Sequence, residues 1–321
     1  MKFNFIIFGI FIFGIINCSG QKINQHDKAL QQQALSIFGQ LPTNLIDVQK
    51  ESAKIKLGKK LFLEKKLSIN NTISCNSCHK LDQYGVDNES TSPGHDGTRG
   101  DRNSPTVYNA ALNFSQFWDG RAVDLADQAI GPILNPIEHG LPSEEVAIER
   151  LSSKEYLKLF KDAFPKQSNP LKYINIGIAI GQFEKTLLTK TRFDDYLSGD
   201  IRALSIKERK GLKKFIETGC TSCHQGPGLG GTSYQKLGLV KPYETRDLGR
   251  YQVTKKKRDR YKFKVPLLRN ITKTAPYLHD GSIASLDKTI EIMFEYQLGK
   301  SPTTDDIEDI KAFLGSLEAK M

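Results

Sequence analysis

The chain has 321 residues, with 46 Lys and Arg against 36 Asp and Glu for a formal net charge of +10, and only five cysteines. That length accommodates two domains with ordinary cores, and the cysteine content is too low for a small disulfide scaffold. So basic a chain would suit a nucleic-acid partner in the cytosol, but the N-terminal segment directs it out of that compartment and leaves no nucleic-acid partner.

Lys2 precedes an apolar run from Phe5 to Ile16 that has the length of a signal h-region and is too short to span a bilayer. Residues 1–17 are therefore expected to be a signal peptide. The following Ile15-Ile16-Asn17-Cys18-Ser19 is similar to the lipobox of bacterial lipoproteins, which would make Cys18 the lipidated first residue of the mature chain and its only link to a membrane. Asn17 is uncommon at that position, so simple cleavage nearby is the alternative. Residues 18–40 are polar and Gln-rich, the composition of a tether.

Past the tether, four cysteines fall into two copies of one pattern, Cys75-Asn-Ser-Cys78-His79 and Cys220-Thr-Ser-Cys223-His224. A c-type haem needs two thiols for its two vinyl groups and a histidine beside the second thiol to reach the iron. Both copies supply all three, which points to two covalently bound haem c groups. A pooled Cys₄ zinc site would explain the cysteines but leave both histidines as coincidence, and a disulfide across each pair is the third reading.

Secondary-structure signals are nearly all helical. Ser205 with Glu208 reads as a capping box opening a helix with Leu212, Phe215 and Ile216 on one face, and Thr304 starts another with the stripe Ile307, Ile310, Leu314 and Leu317. Period-two alternation is scarce, so the fold is expected to be all-α. The halves also repeat each other: a Lys-Lys-(Leu)-Phe helix precedes each cysteine motif, Arg102-Asn103 and Asp119-Gly120 follow the first, and Arg269-Asn270 and Asp280-Gly281 follow the second. Two tandem haem domains, at 41–192 and 193–321, are the expected architecture.

Whether such a protein is an enzyme turns on the far side of each iron, since two strong ligands pass electrons while a vacatable position admits a substrate. In the second half Met293 could ligate opposite His224, or simply pack in a stripe with Leu286 and Ile290. In the first half the available group is His95, on a loop where Gly94 and Gly97 lower the cost of backbone change; a plain surface histidine is the alternative. Glu138 follows the proline-stiffened stretch Gly131-Pro132-Ile-Leu-Asn135-Pro136 and could move a proton during O–O cleavage, or be an ordinary surface acid. The basic cluster at 255–264 reads as a solvated loop, with docking of a redox partner as the alternative.

In their order and spacing, CNSCH, SPGHDG, RNSPTVYNAALNFSQFWDGRA, GPILNPIE, CTSCH, RNITKTAPYLHDG and EIMFEYQLG make nearly everything after the tether resemble the bacterial di-haem cytochrome c peroxidases. The resemblance implies that His79 and His95 ligate a low-potential peroxidatic haem, that His224 and Met293 ligate a high-potential one, and that Glu138 is the acid–base residue. It implies too that Trp118 lies on the electron route between them, and that a calcium ion sits between the domains on the Asn103 side chain and the Thr274 and Pro276 carbonyls. Implied as well are hydrogen peroxide as substrate, a small cytochrome c or cupredoxin as donor, a homodimer, and a periplasmic location. Two rival readings are a plain di-haem electron carrier, against which Glu138 and the His95 loop speak, and a related di-haem enzyme that oxidises a protein substrate. That subfamily has tyrosine where Met293 stands and lacks the loop histidine.

Overall fold

A computed structural model describes residues 25–320; the segment expected to be a signal peptide and Cys18 lie outside the described residues. The first part of the chain forms α1 (Gln25–Phe38), α2 (Ser52–Phe62), α3 (Cys75–Cys78), α4 (Leu125–Leu134), α5 (Glu144–Arg150), α6 (Lys154–Ala163) and α7 (Tyr173–Glu184). The second forms α8 (Arg192–Leu197), α9 (Ile206–Thr218), α10 (Tyr251–Thr254), α11 (Leu286–Ile292) and α12 (Thr304–Gly315). The fold is all-α; a short antiparallel ribbon, β1 (Tyr234–Lys236) with β2 (Lys262–Lys264), is the exception. The expected capping box closes on α9 between Ser205 and Glu208, and a second one, Thr303 with Asp306, opens α12.

Two apolar cores organise these helices. One is built around Leu57, Phe62, Ile133, Phe160 and Ile180, where α7 receives α2 and α4. The other joins Phe193, Leu212, Phe215, Phe313 and Leu317, where α9 packs on α12. Each rests on the same device. A Cβ on Gly58 of α2 would collide with the Ala179 carbonyl of α7 and lie 3.0 Å from Phe183 Cβ; one on Gly211 of α9 would collide with the Asp309 carbonyl of α12 and lie 3.0 Å from Phe313 Cβ. Glycine at the crossing lets two backbones approach more closely than any side chain permits.

The stretch expected as a tether is largely α1. Leu30, Ala34 and Phe38, spaced one turn apart, place a stripe on the second core, where Ala34 and Phe38 are fully buried and Phe38 meets Phe193 edge-to-face at 5.4 Å. Gln31 donates to the Leu197 carbonyl at 2.9 Å and Arg209 pairs with Asp27 at 3.0 Å. The run of glutamines masks this stripe in composition: Gln32 and Gln33 are exposed on the outer face of the same helix.

The internal repeat also shifts. Asn270, with φ 62°, opens a single 3₁₀ turn at Ile271–Lys273; its counterpart is Asn109, also at φ 62°, opening Ala110–Leu112, and not Asn103. The match continues through Phe117 and Leu278 (φ 65° and 68°), Gly120 and Gly281 (φ 67° and 62°), and the bridges Gln116–Ala122 and Tyr277–Ile283. Both asparagines donate to the Thr189 hydroxyl, at 2.8 and 3.2 Å. Beside it the buried Arg269 grips Asp194 through two bonds of 2.6 and 2.9 Å, joining the halves at residues 189–194.

The crossings make a testable contrast. Gly58→Ala and Gly211→Ala should each destabilise the protein by about 1–3 kcal/mol through overpacking. Gly315→Ala, at a helical glycine with nothing within 4 Å, should be neutral or stabilising by up to about 1 kcal/mol. Denaturant unfolding of the three variants checks this, and equal effects at all three would refute the close-approach argument.

Candidate haem-binding and active site

Each cysteine motif folds as a single turn that carries its histidine round beneath the first cysteine. His79 N–H donates to the Cys75 carbonyl at 2.9 Å and His224 N–H to the Cys220 carbonyl at 3.0 Å. Cys75 packs on the first core and Cys220 on the second, so the motifs serve separate halves and do not pool into one four-thiol site. Burial pushes the Cys75 thiol up to about 12 and the Cys78 thiol to about 11, with nearby carboxylates adding to the rise. Desolvation holds both histidines below their ordinary value, His224 at about 4, and therefore neutral, the form that ligates iron. His224 Nδ1 lies 3.1 Å from the Leu229 carbonyl. A carbonyl only accepts, so the proton is on Nδ1 and the lone pair of Nε2 is available for a metal.

Around the first motif the structure brings His95 and Glu138 together. His95 N–H donates to the Glu138 carbonyl at 2.8 Å, and its Nε2 lies 3.1 Å from the Pro136 carbonyl. Its ring lies over Gly140, where a Cβ would come within 2.6 Å of it. Gly94 is needed for close approach, since a Cβ there would strike the Ile137 carbonyl, whereas Gly97, at φ 87° with nothing within 4 Å, is the position that grants backbone freedom. Asn135 Nδ2 donates to Glu138 Oε1 at 2.7 Å. Burial raises the Glu138 carboxyl, against the opposing pull of Arg121 and Asn135, and its charge acts on both Cys75 and Cys78. Glu138 is thus half-buried, with its carboxyl partly withdrawn from solvent. The next residue, His139, is a buried member of this turn that the sequence reading passed over; its Nδ1 donates to the Leu67 carbonyl at 2.9 Å and fixes the turn to the core.

The second motif opens on a largely apolar cavity. Cys220, Cys223 and His224 line it together with Leu286, Ile290 and Met293, so the α11 stripe, Met293 included, faces the space beside His224. Met293 begins a π-helical turn, Met293–Gln297, that continues α11. Trp118, although it belongs to the first half, lines the same cavity. Its indole N–H donates to the Asn103 carbonyl at 2.9 Å, and its own carbonyl accepts from Lys264 N–H at 2.7 Å. Arg102 grips Asp247 by 2.6 and 2.9 Å bonds and Asp119, the residue after Trp118, by one of 2.5 Å.

Asn103, Thr274 and Pro276 also line this cavity. Asn103 Nδ2 is spent on the Glu89 and Ser90 carbonyls, at 3.0 and 3.3 Å, which leaves Oδ1 facing away from them. Asn88 binds the carbonyls on either side, of Lys273 and Ala275, at 3.2 and 2.8 Å. An amide oxygen and two backbone carbonyls are donors of the kind calcium takes.

The 255–264 cluster divides. Lys255, Lys256, Lys257 and Arg258 are exposed, as a solvated loop requires, but Lys264 is buried, 6% exposed, and lines the cavity. Nothing in the sequence marks that difference, because Lys264 lies in the charged run and is buried only by the pairing of β2 with β1 and its contact with Trp118.

The family model for di-haem cytochrome c peroxidase matches residues 52–202. The cytochrome c551 peroxidase of Pseudomonas aeruginosa is 44% identical over 91% of this chain and 87% of its own length; that of Nitrosomonas europaea is 46% identical over 82% and 79%. The crystal structure of a MauG-like protein associated with microbial copper homeostasis superposes with a TM-score of 0.78, at 27% identity, over 88% of this chain and 94% of that one. Two cysteine motifs in two similar halves, with a half-buried carboxyl near the first, agree with these likenesses: the chain belongs to the di-haem cytochrome c peroxidase family, oxidoreductases that carry two haem c groups.

Proposed function

We propose that the protein is exported to the periplasm, anchored through Cys18, and reduces hydrogen peroxide to water with electrons from a small cytochrome c or cupredoxin. The observation that carries this reading is the Glu138 carboxyl, held by Asn135 at 2.7 Å and close enough for its charge to act on the thiols of the first motif. On this reading Cys75, Cys78 and His79 hold the peroxidatic haem, and Cys220, Cys223, His224 and Met293 hold the one that accepts electrons. The haems, when bound, supply the peroxide-binding iron and the stored electrons. Glu138 takes the proton from the near oxygen of peroxide and returns it to the departing oxygen, which leaves as water. Trp118, bonded to the first half through Asn103 and to the second through Lys264, lies on the route between the two centres. Calcium on Asn103 Oδ1 and the Thr274 and Pro276 carbonyls would tie the same seam, and a homodimer is the expected assembly.

His95 supplies the gate. In this conformation its Nε2 is spent on the Pro136 carbonyl. Ligation through Nε2 would break that bond, so a ligated His95 and the present Glu138 turn are alternative states, as a two-state gate requires. The backbone bond from His95 N–H to the Glu138 carbonyl ties the histidine's loop to the carboxylate's turn in this conformation.

Three outcomes test the reading. Glu138→Gln, which keeps the acceptor for Asn135, should lower kcat by about 10²–10⁴-fold with haem content unchanged; steady-state turnover of peroxide with a reduced cytochrome c measures it, and an unimpaired variant ends the acid–base role. His95→Gly should turn over without prior one-electron reduction, whereas a variant still dependent on reduction removes His95 as the gate. Chelation with EGTA should depress the activity of the native enzyme and added calcium should restore it, while Asn103→Ala should start low and respond to neither.

A further inference from the structure

Among the buried cations, Lys264 stands apart. Arg269 has Asp194 at 2.6 Å and Arg209 has Asp27 at 3.0 Å. Lys264 is as deeply placed, yet among the described residues no carboxylate lies within ion-pairing distance of it. Its ammonium meets one neutral oxygen, Asn113 Oδ1, at 3.0 Å. An ammonium has three N–H donors, so two remain for another acceptor. A buried charge without a counter-ion is costly, and burial alone presses this amine down to about 8. Its surroundings supply the missing anion's address: Lys264 and Asn113 line the same cavity as Cys220, Cys223 and His224. A haem carries two propionate carboxylates, and a haem joined to those thiols would bring them into that space.

We propose that Lys264 is the counter-ion of a propionate of the haem bound at the second motif, and that its charge helps make that haem the electron-accepting one. This rests on the assignment of a haem to Cys220, Cys223 and His224. Ferric haem carries one more positive charge than ferrous haem, so a fixed cation beside it disfavours the oxidised form and raises the midpoint potential. The position also couples the two halves, because the Lys264 backbone N–H is bonded to the Trp118 carbonyl. The same short strand that supplies the charge therefore holds the aromatic ring at the seam.

The test is a spectroelectrochemical titration of the fully haem-loaded protein and its Lys264→Met and Lys264→Arg variants, following each haem by its own absorption bands. Lys264→Met should shift the midpoint potential of the second haem downward and leave the first nearly unmoved, while Lys264→Arg should keep the native value. Should the methionine variant fail to fold, Lys264→Gln, which keeps a polar head against Asn113, makes the same comparison. An unchanged potential in the uncharged variant, or an equal shift in the arginine variant, overturns the proposal. Failure of the underlying haem assignment is read separately, as a pyridine haemochrome count below two haems per native chain.

Discussion

The connection between the two halves is held by a buried ion pair. Asp194 accepts from the Thr191 backbone and hydroxyl at the start of α8, and the same carboxylate takes both ends of the Arg269 fork. Arg269 in turn donates to the Pro227 carbonyl, just beyond the second cysteine motif, and to the Thr189 carbonyl in the connection between the halves. One guanidinium thus sets the connecting segment, the haem-motif loop and the start of the Asn270 turn. Removing either partner strands a buried charge, a loss of about 3–5 kcal/mol. Thr189, bonded to Asn109 and Asn270, extends this joint to the matching turn of each half.

From that joint the cavity follows. The strand that leads into Arg269 carries Lys264 and Val265 along its wall, and the first half answers with Trp118 and Asn103. The site of the second motif is consequently not the property of the second half alone. Arg102, bonded to Asp119 on its own side and Asp247 on the other, holds Trp118 at the seam by charge, whereas the cores behind it hold by close packing at Gly58 and Gly211. The side of the first motif is built differently, from one tight turn in which the His95 and Glu138 backbones are bonded to each other.

What the sequence discloses is what is local. A cysteine pair with its histidine closes in one helical turn, and a Ser-x-x-Glu capping box is satisfied within four residues, so both are legible without knowing what surrounds them. Long-range features are not. The stripe Leu30, Ala34 and Phe38 is hidden among glutamines and gains meaning only from the surface it meets. Lys264 reads as one more charge in a basic run until the ribbon buries it. The repeat could be set on the Arg-Asn dipeptides, but backbone conformation follows the left-handed asparagines, and those align Asn109 with Asn270. Gly94 and Gly97 look equivalent in sequence, although one is a contact and the other a hinge. Glu138 stood among many acids, and what separates it from them is its partial burial and the reach of its charge to two thiols.

The placement of α1 carries a consequence of reach. This helix precedes the first half in the chain but docks on the second, with Phe38 against Phe193. Since it begins at Gln25, an anchor at Cys18 would leave about seven residues of leash, roughly 25 Å when fully extended. On the proposed anchoring, the half that carries the second motif would be held close to the lipid surface. A partner of that half would then meet it within a thin layer along the membrane, and encounter in two dimensions would replace a search through the whole compartment.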